Sequence, residues 1–493
     1  MIGPHLPALQ VVIPLVGALL AALVRRPGPA WLIMLAASWL ALLVACLLLV
    51  QVLGEGVISY RIGGWDPSIG IEYRVDVVNA MILVLVAGLA AIVAPFARAS
   101  VAAEIAEDKI AGFYAVYLLA LTGLLGIAIT GDAFNAFVFL EISSLASYAL
   151  IALGRDRRAL VAAFQYLVMG TIGATFYVFG VGLLYVSTGT LNLGLMAERL
   201  AHAEHMRPVI AGLAFITVGI GLKLALFPLH VWLPNAYAYA PSTASVFLAG
   251  AATKVAIYLF ARFAFSVFGV DFVFAKLPAT ALLVALSVAA LFVGGVAAIL
   301  QADAKRMFAY SSVGQVGYIT LGLALATPLG LTGGLVHLLN HALMKSTLFM
   351  ALGAVAFRTG GTLIADMAGI GRKMPLAMGA FAVAGLSLIG VPGTVGFVSK
   401  WYLILAALDK GWWWLAFLIV ASSLLTLIYF GRVVEAAWFR APVAATMEAS
   451  DPPLDMLVPL WLLAGLCVYF GLDTRLTVGL AGQAAATLLA GFR

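Results

Sequence analysis

The sequence predicts an all-α polytopic membrane protein with about fourteen transmembrane helices. Three observations carry that expectation. Of the 493 residues, 64% are hydrophobic and only 10% charged, with a mean hydropathy of +1.13. An average soluble domain has roughly 45–50% apolar and about 25% charged residues. The apolar runs are continuous, about 20 residues long, which suits helices crossing ~30 Å of hydrocarbon; barrel strands are alternating segments of ~10 residues. The longest connections, 54–74 and 188–207, leave no room for a soluble domain, so residues 1–493 read as one integral membrane domain. A soluble enzyme, a nucleic-acid binder and a secreted scaffold are excluded. Cys46 and Cys467 lie far apart in apolar runs, so no disulfide framework, CxxC metal site or cofactor is expected. The opening Met-Ile-Gly-Pro-His has no basic n-region, so the first run reads as a retained helix and not a cleaved signal.

The expected spans are 5–24, 30–53, 75–97, 110–130, 133–153, 160–187, 208–229, 243–267, 277–300, 305–326, 330–357, 375–405, 412–438 and 454–472. Residues 475–491 are apolar but short, and read as an interfacial tail. Alternate loops sort the basic residues into two sets. Fourteen, among them Arg25, Arg26, Arg155, Arg157, Arg158, Lys305, Arg306, Arg372 and Lys373, fall on one side. Nine fall on the other: Arg61, Arg74, Arg199, Arg207, Arg262, Lys276, Lys410, Arg475 and Arg493. The positive-inside rule makes the larger set cytoplasmic and places both termini outside. That topology also accounts for the net charge of +6 without an acidic partner.

The four remaining basic residues, Lys223, Lys254, Lys345 and Lys400, fall inside apolar spans. All are lysine, although arginine outnumbers lysine 18 to 9. Arginine stays protonated, whereas a desolvated lysine can release its proton, so a path that loads and unloads protons calls for lysine. Snorkelling of the side chain toward the interface is the alternative, and it fits Lys254 and Lys345 least because they are near mid-span. One acid joins them. Glu141 lies within GDAFNAFVFLEISSLASYAL, and a carboxylate in hydrocarbon must face the interior and either pair or be protonated. Lys223 is its natural partner, as a switchable or a static ion pair. In GLVHLLNHALMKSTLF, the i, i+4, i+8 spacing puts His337, His341 and Lys345 on one helix face, as a proton relay requires. Hydrogen-bonded structural histidines are the alternative. A metal site is disfavoured, since no acidic or Cys ligand is near and HExxH is absent.

Two spans carry breakers beside a lysine: GLKLALFPLHVWLPNAY, with Pro228, His230 and Pro234 after Lys223, and LSLIGVPGTVGFVSKW, with Pro392 and Gly393 before Lys400. His230 is placed to connect Lys223 to Lys254. Broken backbone is tolerated in membranes where it is buried in protein or lines a cavity, and broken segments in two halves point to transport sites; simple packing kinks are the alternative. Lys223 and Lys400 are 177 residues apart, and SSLASYALIALG echoes SSVGQVGYITLG at an offset of 168. Two related halves follow, at about spans 4–8 and 9–13.

These segments, with KRMFAYSSVGQVGY and HLLNHALMKSTLF, resemble the antiporter-like subunits shared by Mrp-type Na⁺/H⁺ antiporters, respiratory complex I and membrane-bound hydrogenases. The resemblance covers nearly the whole chain. It implies fourteen helices, with helices 1–3 in 1–109, two inverted five-helix repeats in 110–267 and 277–438, discontinuous helices 7 and 12, and a last helix and tail in 454–493. It also implies that Glu141 and Lys223 match the essential Glu/Lys pair, Lys254 the central lysine, His337 and His341 the span 11 histidines, and Lys400 the exit-side lysine. The chain ends about 20 residues after its last span, without the lateral helix of the largest relatives. Length, the GD-x-FN run and Lys400 look most like the D-type subunit of the Mrp antiporters, although Ala133, Ala136 and Leu140 depart from its pattern. The expected function is proton translocation in a monovalent cation (Na⁺)/proton antiporter of the cytoplasmic membrane, with other membrane subunits as partners. The alternatives are the same proton path in a complex I-like oxidoreductase or hydrogenase, and a non-conducting scaffold.

Overall fold

Acidic caps, prolines and left-handed residues set where the helices begin and end. A computed structural model describes residues 3–203 and 205–492; Arg493, assigned above to the smaller basic set, lies outside them. Helices α1 (Leu6–Val24) and α2 (Pro27–Glu55) lead to a short hairpin of β1 (Ile58–Arg61) and antiparallel β2 (Glu72–Val75). Helix α3 (Val77–Glu104) starts in a capping box formed by Asp76 and Asn79. The first repeat holds α4 (Ile110–Ile129), α5 (Ala133–Ala152), α6 (Arg157–Thr188), the broken pair α7a (Met206–Leu224) and α7b (Leu233–Tyr239), and α8 (Ser242–Val267). The second holds α9 (Ala279–Ile299), α10 (Ala304–Ala324), α11 (Pro328–Thr359), the broken pair α12a (Pro375–Ile389) and α12b (Val395–Asp409), and α13 (Trp413–Phe439). The chain closes with α14a (Leu454–Leu472) and α14b (Arg475–Ala490). Among the described residues, twelve helices are individually long and apolar enough to span a membrane. Helix α10 and the pair α12a/α12b complete fourteen crossings.

The two repeats are inverted, and short backbone clasps show it. Where α5 begins, Ala133 N donates to Leu191 O and Leu193 N to Gly131 O, both 2.8 Å. Where α10 begins, Ala304 N donates to Thr362 O (2.8 Å) and Ile364 N to Ala302 O (2.9 Å). The first clasp is on the face that carries the hairpin, through the Tyr73–Thr130 bridge; the second is on the far face. The capping residues Asp132 and Asp303, like the clasp residues Asn192 and Leu363, are 171 positions apart. The sequence echo at 168 is therefore one helical turn out of register, although the halves it pointed to are real.

Helix α11 is buried along its length and forms the centre of the bundle. The broken helices α12a/α12b and α14a/α14b pack along it. This corrects the reading of 475–491 as an interfacial tail: α14b buries Ala481, Ala484, Ala485 and Leu488 against α11 and α3. Its end returns to the hairpin face, where the Phe492 ring centre lies 5.2 Å from the Arg74 guanidinium and 5.4 Å from that of Arg262. His5 bonds Tyr60 on the hairpin, so both described ends of the chain are on this face. Arg262, read above as a loop residue, is buried within α8 and pairs with Asp76 at 2.8 Å.

Candidate functional site

Helix α5 presents Glu141, Ser144 and Tyr148 at i, i+3 and i+7 on one face. Opposite them, α7a stops two residues after Lys223, at Ala225, which adopts a left-handed φ of 59°. A side-chain-bearing residue there costs roughly 1–2 kcal/mol. The break is partly repaired by Trp232, whose Nε1 donates to the Leu222 carbonyl at 2.8 Å and whose ring stacks on Tyr166. Lys223 Nζ donates to Ser144 Oγ at 2.5 Å and to Tyr148 OH at 3.5 Å. Glu141 forms no ion pair within 4.0 Å, and its buried Oε1 has no hydrogen-bond partner among the described residues. The expected Glu141–Lys223 pair therefore shares a site without being closed. A lysine is satisfied by two hydroxyls one and two turns along α5 from the acid.

Lys254 lies in α8, fully buried, just after the π-helical turn Leu248–Ala252. Such a turn shifts the backbone ladder to i→i+5 and frees a carbonyl. Lys254 Nζ takes up Ala249 O, and Thr253 Oγ1 is 3.5 Å away. Neither ring nitrogen of His341, on α11, has a partner among the described residues. The His337 and His341 rings are nearly parallel, 6.2 Å apart. His337 is clamped on both nitrogens, by Ser399 Oγ of α12b (2.8 Å) and Gln315 Oε1 of α10 (3.0 Å). Lys345 shares their helix face but reaches sideways, donating to the Phe308 carbonyl at 2.7 Å and to Ser311 of α10.

Lys400 ends the row. Its Nζ donates to Leu388 O (3.0 Å), Ile389 O (2.8 Å) and Ser423 Oγ (2.9 Å), and sits 5.0 Å from the Tyr318 ring centre. Two of these acceptors are terminal carbonyls of α12a, which ends at Gly390 with φ 97°. The freed carbonyls and the negative end of that half-helix hold the cation. Lys223 precedes the break in its helix and Lys400 follows its own, so the two lysines are not equivalent positions of the repeat.

Of the breaker residues, Pro228 lies in the gap of helix 7 and Pro234 is the second residue of α7b, and Pro392 and Gly393 (φ 84°) lie in the gap of helix 12. His230 departs from expectation. It stacks on Phe227, remains part-exposed, and hydrogen-bonds neither Lys223 nor Lys254 among the described residues. Its Nδ1 is enclosed without a hydrogen-bond partner among the described residues, while Trp232 is fully buried. Among the described residues no cluster of three or more metal-ligating side chains occurs.

Ser144, Tyr148, Gln315, Tyr318, Ser399 and Ser423 complete the row, and the sequence reading did not single them out. Only Ser144 and Tyr148 carried a signal, their helical spacing from Glu141. On the far face, an open cavity of about 820 Å³ lies between the repeats, lined by Glu104, Arg155, Asp156, Arg158, Lys305 and others. There Lys305 Nζ donates to Ser242 Oγ (2.7 Å), and Ser242 N donates to Glu104 Oε2 (2.8 Å), at the start of α8. The Arg158 guanidinium, bonded to Asp156, holds that carboxyl below its ordinary range.

Two inverted helical repeats threaded by a buried row of lysines and histidines define an antiporter-like membrane subunit. The chain belongs to the NADH:quinone oxidoreductase/Mrp antiporter transmembrane family, whose pattern matches residues 130–426. It is 44% identical over 487 residues to NADH-quinone oxidoreductase subunit N of Desulforudis audaxviator, covering 95% of this chain and 96% of that one. It is 31% identical over 430 residues to a D-type Na⁺/H⁺ antiporter subunit of Alkalihalophilus pseudofirmus, covering 87% and 86%. A chain of the membrane-bound sulfane sulfur reductase, an archaeal respiratory membrane complex, superposes with a TM-score of 0.91 at 32% identity, covering 99% of this chain and 98% of that one. These relatives belong to Mrp-type or complex I-like assemblies, and this chain is a membrane subunit of that kind.

Proposed function

We propose that this chain is a proton-translocating subunit, carrying protons from Glu141 and Lys223 through Lys254, His341 and His337 to Lys400, with Lys345 setting the charge at the centre. The observation that supports it is the continuity of the row. Titratable groups recur through both repeats, Lys223 and Lys400 beside helix breaks, Lys254 beside a π turn and His341 with both ring nitrogens unpaired among the described residues. Direct hydrogen bonds do not join Lys223 to Lys254 or Lys254 to His341, so transfer there requires bridging water. The part-exposed His230 is not a step in this path. The row is cationic with a single acid, which suits protons better than Na⁺. In this reading residues 3–109 scaffold the two repeats, 454–492 closes the bundle, and the hairpin face with both described ends of the chain is outside.

A redox-driven complex is the assembly favoured by the 44% identity to an oxidoreductase subunit, which runs nearly end to end. The 31% identity to an antiporter subunit supports the second reading, a Na⁺/H⁺ antiporter. The discriminating experiment uses vesicles carrying the whole complex. Proton uptake driven by electron donor and quinone supports the first reading. A ΔpH response to added Na⁺ without electron transfer supports the second. Absence of any proton movement in intact complexes would overturn both.

A further inference from the structure

We infer that the outer face of α14b is a docking surface for a transmembrane helix of a neighbouring membrane subunit, one that presents a hydrogen-bond acceptor to Arg475. Arg475 starts α14b deep in the membrane. Helix α14a leaves the far face beside Asp451, whose carboxylate accepts Leu376 N and Ala377 N at the start of α12a. It ends where Gly471 packs on Thr394, in the break of helix 12. Arg475 is then about 30 Å of helix from Leu454 and about 22 Å from Ala490, at 1.5 Å per residue. Helix 12 runs from the far face to the hairpin face with this break midway along it, so Arg475, four residues past Gly471, lies near mid-depth.

Arg475 is 90% exposed on the lateral surface of the bundle and paired with Asp473 at 2.6 Å. Asp473 spends its carboxylate on Arg475 Nε and Nη2 and on the Arg475 backbone N–H, leaving Nη1 unbonded. Hydrocarbon offers that nitrogen nothing, and a charged group facing lipid at this depth is costly. Gln483, two turns along the same face, is also exposed.

Gly479 and Gly482 lie between Arg475 and Gln483 on this face, with Ala486 just beyond, and a methyl placed on Gly479 or Gly482 would meet nothing within 4 Å. The result is a shallow, polar-flanked strip on which a second backbone can approach closely, as interhelical contacts in membranes require. A lipid tail would fill the strip but leave Arg475 and Gln483 unsatisfied. A protein helix with a carboxylate, amide or free carbonyl satisfies both.

The test uses the assembled complex in its native membrane. A photoreactive residue in place of Gln483 should cross-link one partner membrane subunit. Adducts only with lipid, or only with a second copy of this chain, would overturn the proposal. Arg475→Leu should lower the partner recovered with this chain by about tenfold or more, the usual loss when one member of a buried charge contact is truncated. Gly479→Leu guards against misfolding, because its side chain enters open space in this chain and blocks only the partner. Full recovery of partners with both variants would refute the docking surface, whatever becomes of the proton path, since the readout is assembly and not transport.

Discussion

Lys223 and Glu141 face one another across the first repeat without touching: the lysine donates to Ser144 Oγ at 2.5 Å, one turn beyond the acid on α5. The hydroxyl therefore stands where a carboxylate oxygen was expected. An open pair has a consequence a closed one lacks. Either group can change protonation without first breaking an ion pair in low dielectric, where Coulomb attraction is strong.

Glu141→Ala should leave insertion and assembly unchanged, because Oε1 makes no bond that truncation would remove. Proton translocation by the assembled complex should fall by roughly a hundredfold, the scale of losing a positioned proton-transfer group. Wild-type flux in assembled Glu141→Ala complexes would remove this residue from the path.

Ser144 should matter because it holds Lys223. Ser144→Ala removes the short acceptor and leaves Lys223 with Tyr148 OH at 3.5 Å. A loss of about threefold to tenfold in flux is expected, consistent with one hydrogen bond to a charged group at about 1.5–3 kcal/mol being partly replaced. Ser144→Thr, which keeps the hydroxyl, should restore most of it. Equal flux in all three proteins would show that the contact is incidental.

The His337 clamp invites a similar comparison. Gln315→Leu removes the partner of Nε2 but keeps Ser399 on Nδ1. The ring loses the hydrogen bond that fixes its tautomer. Flux should drop while thermal stability of the complex changes little. A large stability loss with normal flux per complex would identify the histidine as structural.

The Asp76–Arg262 pair is a control outside the row. Both side chains are nearly fully buried, at 6% and 3% exposure. Removing one partner of such a pair typically costs about 3–5 kcal/mol. Arg262→Met should therefore lower the melting temperature of the purified complex while flux per folded complex holds. Lost flux at full stability would bring this pair into the mechanism.

How much of this was legible beforehand depends on whether the signal was local. Span positions, both breaks beside Lys223 and Lys400, and the buried lysines follow from local composition, since a charge or proline in an apolar run must be accounted for where it stands. Helix α14b was misjudged because its 16 residues are too few to cross alone. Its role as the second half of a broken span depends on packing against α11 and α3, which no local pattern records. The acceptors of the row, such as Gln315 and Ser399, come from helices distant in sequence and look like ordinary polar residues. His230 follows a break, which suggests a link in the path, but its ring stacks on Phe227 and bonds neither lysine, a contact that position in the sequence does not record.

The sharpest test separates proton release from fixed charge at Lys254. This lysine is fully buried in the centre of the bundle, holding a single backbone carbonyl freed by the π turn. Guanidinium keeps the positive charge and the donor capacity but does not deprotonate in proteins. If Lys254 passes a proton, Lys254→Arg should reduce translocation to background in complexes that still assemble. Lys400→Arg should be milder. There the cation is held by two carbonyls and Ser423, an array that a guanidinium can also satisfy. Arginine is larger, so assembly must be measured alongside flux. Lys254→Gln, which is close in size and has no charge, completes the set. Loss of flux in both Lys254 variants with assembly intact is the result expected of a relay lysine. Near wild-type flux in assembled Lys254→Arg complexes, with loss in Lys254→Gln, would make Lys254 an electrostatic fixture, and the path from the first repeat to His341 would have to bypass it.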